Sequence, residues 1–160
     1  MGKSKVKTNV MRILDKENIF YNSYTYDHQD GVIDGLSVAE KLGQCPEQVF
    51  KTLVTKGASK EFYVFVIPVN KELDLKVAAR AVDEKSVEMI HVDEINKTTG
   101  YIRGGCSPIG MKKQYNTVID SSCKNFDTMI FSGGKIGYQV EMRPEDLIRI
   151  IEAKVAHITE

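Results

Sequence analysis

The sequence predicts a single α+β domain built on a mixed, curved β-sheet with helices around it. Three observations carry that expectation. Helical and extended patterns alternate through the 160 residues with short breaks and no linker. A chain of this length that is 42% hydrophobic encloses one ordinary core and has little left for a second, so residues 1–160 are read as one domain. Two hairpin signals stand out: "VFKTLVT" and "EFYVFVIPV" around the turn-like "KGASK", and "DTMIFS" and "YQVEM" around "GGKIG".

Val6, Val10, Ile13 and Leu14 recur at helical spacing and place a first helix from about Lys5 to Lys16, followed by an extended segment around Phe20 to Tyr26. In "GLSVAEKLG", Ser37 and Glu40 have the spacing of a capping box, and Gly43 suits the left-handed residue just past a short helix. The first hairpin follows Pro46 and is buried on at least one face. Leu73, Leu75, Val77, Ala78 and Ala81 support a helix through "ELDLKVAARAV", and Asp93 is placed to cap another before the break at Thr98-Thr99-Gly100. After a glycine-rich loop come the extended "NTVID" and the second hairpin. Pro144 then suits the first turn of a C-terminal helix with Leu147, Ile148, Ile150, Ile151 and Val155 on its apolar side.

Charge excludes some partners. Twenty-two Lys and Arg balance twenty-two Asp and Glu, so no long-range field draws the chain to DNA, to other phosphate backbones or to an anionic membrane. A nucleic acid has to be met locally or delivered by another protein. No apolar run approaches the roughly 20 residues of a membrane span. The start, "MGKSKVKTNV", lacks the apolar centre of a signal peptide, and a cytoplasmic protein is expected. Cys45, Cys106 and Cys123 are odd in number and form no CxxC pair, which argues against a disulfide framework and against zinc; neither metal nor cofactor is expected.

Lys51 is the chemical oddity, an ammonium within a β-branched strand on the same face as Val49 and Leu53. It protects an edge strand or snorkels to water, or else it points into a pocket where it binds an anion or a developing oxyanion. Periodicity leaves both readings open. The second candidate is "GYIRGGCSPIG", Gly100 to Gly110, in which Gly104 and Gly105 let backbone amides approach a ligand oxygen, unless this is a plain surface turn. Neither this loop nor "SGGKIG" has the GxGxxG pattern, and in neither is a Gly-Lys followed by Ser or Thr, so a P-loop is excluded at both. Cys106 with His28 or His91 as base is a weak Cys/His pair, since a lone cysteine is more often a small buried hydrophobe. His157 reads as solvated, and the three histidines lack metal-ligand spacing.

The order VFKTLV, GYIRGGCSPIG, IFSGGKIG, closing on a DLI-type helix, resembles the YbaK family of bacterial aminoacyl-tRNA deacylases, especially the Cys-tRNA(Pro) deacylases. The fold is similar to the editing insertion of bacterial prolyl-tRNA synthetases, and the likeness spans nearly the whole chain. It implies that Lys51 holds and polarises the scissile aminoacyl ester and that Gly104 and Gly105 approach the ester or terminal ribose. It implies further that Tyr26 of "TYDH" and Ser132 of the SGG turn bind substrate. No protein nucleophile is implied, because the cysteine thiol of the substrate attacks its own ester. The implied function is trans-editing of Cys-tRNA(Pro), and of Cys-tRNA(Cys), at the acceptor end of an aminoacyl-tRNA. Prolyl-tRNA synthetase, in a transient complex, is the candidate presenter. One departure is Gln139, which stands where family members carry an aspartate, so the hydrogen bond it offers is not charge-assisted. Glu141, two residues along the same face, substitutes only if the register differs. Cys106 stands where the family has an aliphatic residue. The alternative is a binding module without catalysis, which uses the same pocket for an aminoacyl-tRNA, a nucleotide end or a protein partner. Lys3, Lys5, Lys7, Lys112 and Lys113 are either contacts to the acceptor stem or solvated surface.

Overall fold

A computed structural model describes residues 6–160. Lys3, Lys5 and the expected helix start at Lys5 lie outside the described residues. Helix α1 (Asn9–Lys16) starts at Thr8, whose hydroxyl accepts from the Met11 N–H at 3.2 Å, and it buries Val10, Met11 and Leu14. Strand β1 (Asn22–Thr25) and helix α2 (Gly35–Lys41) follow. The cap of α2 is Asp34 rather than Ser37. Its carboxylate accepts from the Ser37 N–H at 3.1 Å and the Ser37 hydroxyl at 3.0 Å, so Ser37 sits inside the first turn as a donor. At the other end Gly43, at φ +65°, lets its own N–H reach the Glu40 carbonyl and that of Gln44 reach Ala39, which is a Schellman turn.

Strands β2 (Phe50–Gly57) and β3 (Phe62–Pro68) form the expected antiparallel hairpin, with Lys51 opposite Ile67. Helix α3 (Leu75–Ala81) is capped by Asp74. Strand β4 (Val87–Met89) leads to helix α4 (Val92–Thr99). His91 occupies the N-cap of α4, and the Glu94 carboxylate accepts from the His91 N–H at 3.1 Å. Asp93, expected as the cap, instead lies in the first turn, where its charge faces the positive helix end. Then come β5 (Asn116–Asp120), β6 (Met129–Ser132), β7 (Tyr138–Met142), α5 (Pro144–Ile151) and β8 (Lys154–Ala156). Glu152 adopts a left-handed φ of 53° and stops α5, so Val155 belongs to β8 and not to the helix.

The α+β class holds, with the strands in two sheets. Five strands in the order β4-β2-β3-β5-β8 make a mixed sheet, antiparallel around β2 and parallel from β3 to β8. The order β1-β7-β6 makes an antiparallel sheet, and a parallel bridge between Val49 and Ile130 joins the two. Strand β3 is the centre of the molecule. Val64 and Val66 pack with Val10, Leu14, Phe131, Val140 and Leu147 on one side, while Phe65 and Ile67 pack with Ala78, Val82, Val118 and Ile158 on the other. Strand β3 is thus buried on both faces, while β2 keeps Lys51, Thr52 and Leu53 only half-buried. Residues beyond β8 are tied in as well. The Asp74 N–H donates to the Ile158 carbonyl, the Ile158 N–H to Asp120, and Leu73 bridges Thr159.

Candidate active site

Strand β4 pairs with β2 only at Thr55–Gly57, so the half of β2 that carries Lys51 has β3 on one side and no strand on the other. In that gap, beside the junction of the two sheets, lies a cavity of about 770 Å³, within the usual size of a small-molecule site. Val38, Val49, Val69, Ile33 and Phe131 give it apolar walls.

Of the residues singled out in the sequence, Lys51, Tyr26, Gly104, Ser132 and Gln139 all border this one cavity. Lys51 is half-buried, and among the described residues no carboxylate pairs with its ammonium. Ser132 opens the turn after β6, and its hydroxyl accepts from the Gly134 N–H at 3.1 Å while its own proton stays available. Tyr26 continues from β1, its N–H bonded to the Gly137 carbonyl at 3.0 Å and its ring edge-on to His28. Gln139, on β7, is 4% exposed, and its carboxamide is paired with that of Gln44.

The two loop glycines separate. Gly104 adopts φ +87° and borders the cavity, and a side chain there would meet Ile33 Cδ1 at 2.6 Å. Gly105 does not border it. The N–H of Gly105 already donates to the Ile102 carbonyl at 2.9 Å, and its α-carbon packs against the backbone of Lys135 and Ile136, where an added methyl would sit 3.0 Å from the Ile136 nitrogen. Both amides are expected from the sequence to approach a ligand; of the two glycines Gly104 borders the cavity, and Gly105 lets two loops close on each other.

Sequence reasoning missed several neighbours. Arg103, within the quoted loop, is a second cation on the cavity, and Asp34 is its one carboxylate. Backbone and side-chain donors of Ser37 hold the Asp34 carboxyl below its ordinary range, so it is an occupied helix cap. The Thr52 hydroxyl is buried, unpartnered among the described residues, and borders the same space. Gln44 gave no local signal beyond the glycine before it.

Nucleophile chemistry from the protein finds no support. Burial pushes the Cys106 thiol up to about 11, leaving it neutral near pH 7. No histidine borders the cavity: His28 lies in a second, shallower groove with Tyr101 and Ile102, His91 caps α4, and His157 is exposed. Glu141 is no substitute carboxylate for Gln139. It accepts from the Tyr24 hydroxyl and, at 2.5 Å, from the Thr128 hydroxyl, and it does not border the cavity. What the cavity offers is two cations, one helix-capping carboxylate, hydroxyls and the Gly104 backbone around an apolar interior, a set that can polarise a carbonyl and orient small polar groups.

Residues 36–150 match the sequence profile of the aminoacyl-tRNA editing domain. An Enterococcus faecalis protein provisionally named Cys-tRNA(Pro)/Cys-tRNA(Cys) deacylase EbsC is 43% identical over 98% of this chain and 96% of its own length. A proline–tRNA ligase of Kosmotoga olearia is 27% identical over 68% of this chain and 18% of the ligase. Among solved structures, one provisionally described as a trans-editing enzyme for prolyl-tRNA synthetase superposes with a TM-score of 0.80 at 20% identity, covering 98% of this chain and 99% of that one.

Proposed function

The chain belongs to the aminoacyl-tRNA editing domain family, and from that premise we propose that it is a trans-editing deacylase that hydrolyses Cys-tRNA(Pro), and Cys-tRNA(Cys), at the acceptor end. The observation that carries this reading is the Lys51 ammonium, without a carboxylate partner among the described residues, on an apolar cavity that Gly104 and Ser132 also border. The relative, matched over 96% of its own length, that bears a Cys-tRNA deacylase name supports the choice of substrate.

In this mechanism the ester carbonyl of the bound aminoacyl group lies between Lys51 and the Gly104 N–H. Both strengthen their hold as negative charge grows on that oxygen, which is where fixed donors in a dry site accelerate a reaction most. The nucleophile is the substrate's own thiol. Its sulfur bonds to the carbonyl carbon, the carbon–oxygen bond to the ribose breaks, the thiol proton ends on the ribose oxygen, and water then opens the released four-membered thiolactone to free cysteine. The protein contributes geometry and charge stabilisation, consistent with the neutral Cys106 thiol. In this reading Ser132 and Tyr26, which border the cavity, hold the ribose, and Gln139 accepts from the amino group or a ribose hydroxyl.

The balanced charge of the chain gives little affinity for a phosphate backbone. Prolyl-tRNA synthetase, in a transient complex, is the presenter that would raise the local concentration of the acceptor end. The test is release of the amino acid from Cys-tRNA(Pro), Cys-tRNA(Cys) and Ala-tRNA(Pro) by the wild type and by Lys51→Ala. Rapid loss of cysteine is expected, lowered about 100-fold or more in the variant, with an unchanged melting temperature. Tight binding without release from any charged tRNA would make the protein a binding module instead.

A further inference from the structure

The Gln139 carboxamide does not face the cavity as a free side chain. The Gln44 Nε2–H donates to Gln139 Oε1 at 2.7 Å, and the Gln139 Nε2–H donates to Gln44 Oε1 at 3.2 Å. Two reciprocal bonds between planar amides leave one rotational state, because turning either amide over would set oxygen against oxygen and nitrogen against nitrogen. Gln44 is itself held from behind. It follows the left-handed Gly43, and its backbone N–H is bonded to the Ala39 carbonyl at 2.9 Å in the Schellman turn that ends α2. Gln139, for its part, is fixed on β7 between Tyr24 of β1 and Ser132 of β6.

We propose that Gln44 is a positioning residue: through this amide pair it locks Gln139 so that one N–H and one oxygen lone pair face the aminoacyl group bound in the cavity. The inference rests on the deacylase reading above. It explains how a glutamine serves at this wall without a carboxylate. The free lone pair accepts a hydrogen bond from the substrate's amino group or a ribose hydroxyl, and the free N–H meets an acceptor, both in fixed directions. The charged or titratable groups bordering the cavity are Lys51, Arg103, Asp34, Cys106, Tyr26 and Tyr138, with Tyr24 on the neighbouring strand, and among the described residues no side chain of these hydrogen-bonds either carboxamide.

Gln44→Glu separates positioning from mere packing, since it keeps the shape and changes only the donor. As a carboxylate, Glu at position 44 cannot donate to Gln139 Oε1 and sets two oxygens against each other. As a carboxylic acid it restores both bonds. Deacylation of Cys-tRNA(Pro) by Gln44→Glu is therefore expected to fall about tenfold or more in kcat/KM as pH rises through the carboxyl range and to recover in acid, whereas the wild type shows no such step. Gln44→Leu is expected to lose about tenfold at every pH. Melting curves run alongside show that the variants are folded.

A Gln44→Glu profile parallel to that of the wild type, or a Gln44→Leu rate equal to it, would overturn the inference while leaving the deacylase reading intact. A wild type that releases no amino acid from any charged tRNA would instead remove the reading and this inference together. The two failures are distinct because the first shows in the variants and the second in the parent.

Discussion

Substituting Gly104 by alanine tests the loop where the structure makes the sharpest demand. Two costs are readable. A side chain at φ +87° enters the left-handed region, which costs ~1–2 kcal/mol for an ordinary residue. The new methyl also lies 2.6 Å from Ile33 Cδ1 and 3.2 Å from its Cγ1. Because these atoms form the flexible end of a side chain, Ile33 can rotate away at ~1 kcal/mol. Together these give about 2–3 kcal/mol, a fall in Tm of about 4–12 °C for a chain of this size. The effect on rate is expected to be larger, because a displaced loop takes the Gly104 N–H away from the ester oxygen, and loss of one such donor costs about 100-fold in kcat. Differential scanning fluorimetry and a deacylation assay read the two quantities. Adding Ile33→Val removes Cδ1 and is expected to return the steric share of the stability but not the share due to φ, which a double-mutant cycle isolates. An alanine variant with the Tm and rate of the wild type would refute both the strain argument and the place given to the Gly104 amide.

The buried thiols give a second prediction. Burial pushes both Cys106 and Cys123 up to about 11, so alkylation near neutral pH is expected at the exposed Cys45 alone, and Cys106→Ala is expected to keep wild-type deacylation. The same shift sets a pH dependence. Below the ordinary thiol range folded and unfolded chains both keep the proton, and as pH rises toward about 11 only the unfolded chain releases it, so stability declines across that window. Urea midpoints at about pH 8 and about pH 10.5 check the direction. Tyr24 supplies the third. Its hydrogen bond to Glu141, aided by burial, pushes the phenol up to about 12, and Glu141→Gln is expected to bring it back toward the ordinary range of about 10 in a tyrosinate absorbance titration. That variant also weakens the tie to Thr128, so it is expected to lose about 1–3 kcal/mol in urea unfolding while deacylation persists.

Local patterns made the two hairpins legible, because period-two runs with glycine-rich turns need no distant information. The β4 and β8 strands escaped notice. Each is three residues long and sits at a sheet edge, where pairing with β2 or β5 rather than its own composition makes it a strand. The division into two sheets depends on which strands pair at long range, and no local signal carries that. Two helix caps were misplaced for one reason: Ser37 and Asp93 have capping chemistry, but the residues Asp34 and His91 hold the non-helical backbone position. At the site, periodicity marked Lys51 as odd and could not choose its role; the motif resemblance named Tyr26, Gly104, Ser132 and Gln139, which the fold brings to one cavity. Gln44 was invisible because a glutamine after a helix looks like solvated surface, and only the Schellman turn directs it inward.

The tie between Asp74 and Ile158 has a consequence for synthesis. Ile158 is fully buried against a core whose other members lie far earlier in the chain, and Asp120 waits for its backbone. During translation β5 therefore lacks its outer partner until residues 154–158 have left the ribosome. Until then the α3 side of the five-stranded sheet has an open apolar edge, a state suited to chaperone capture. A nascent chain stalled before Ile158 would stay sensitive to protease, and release of those few residues would close the domain.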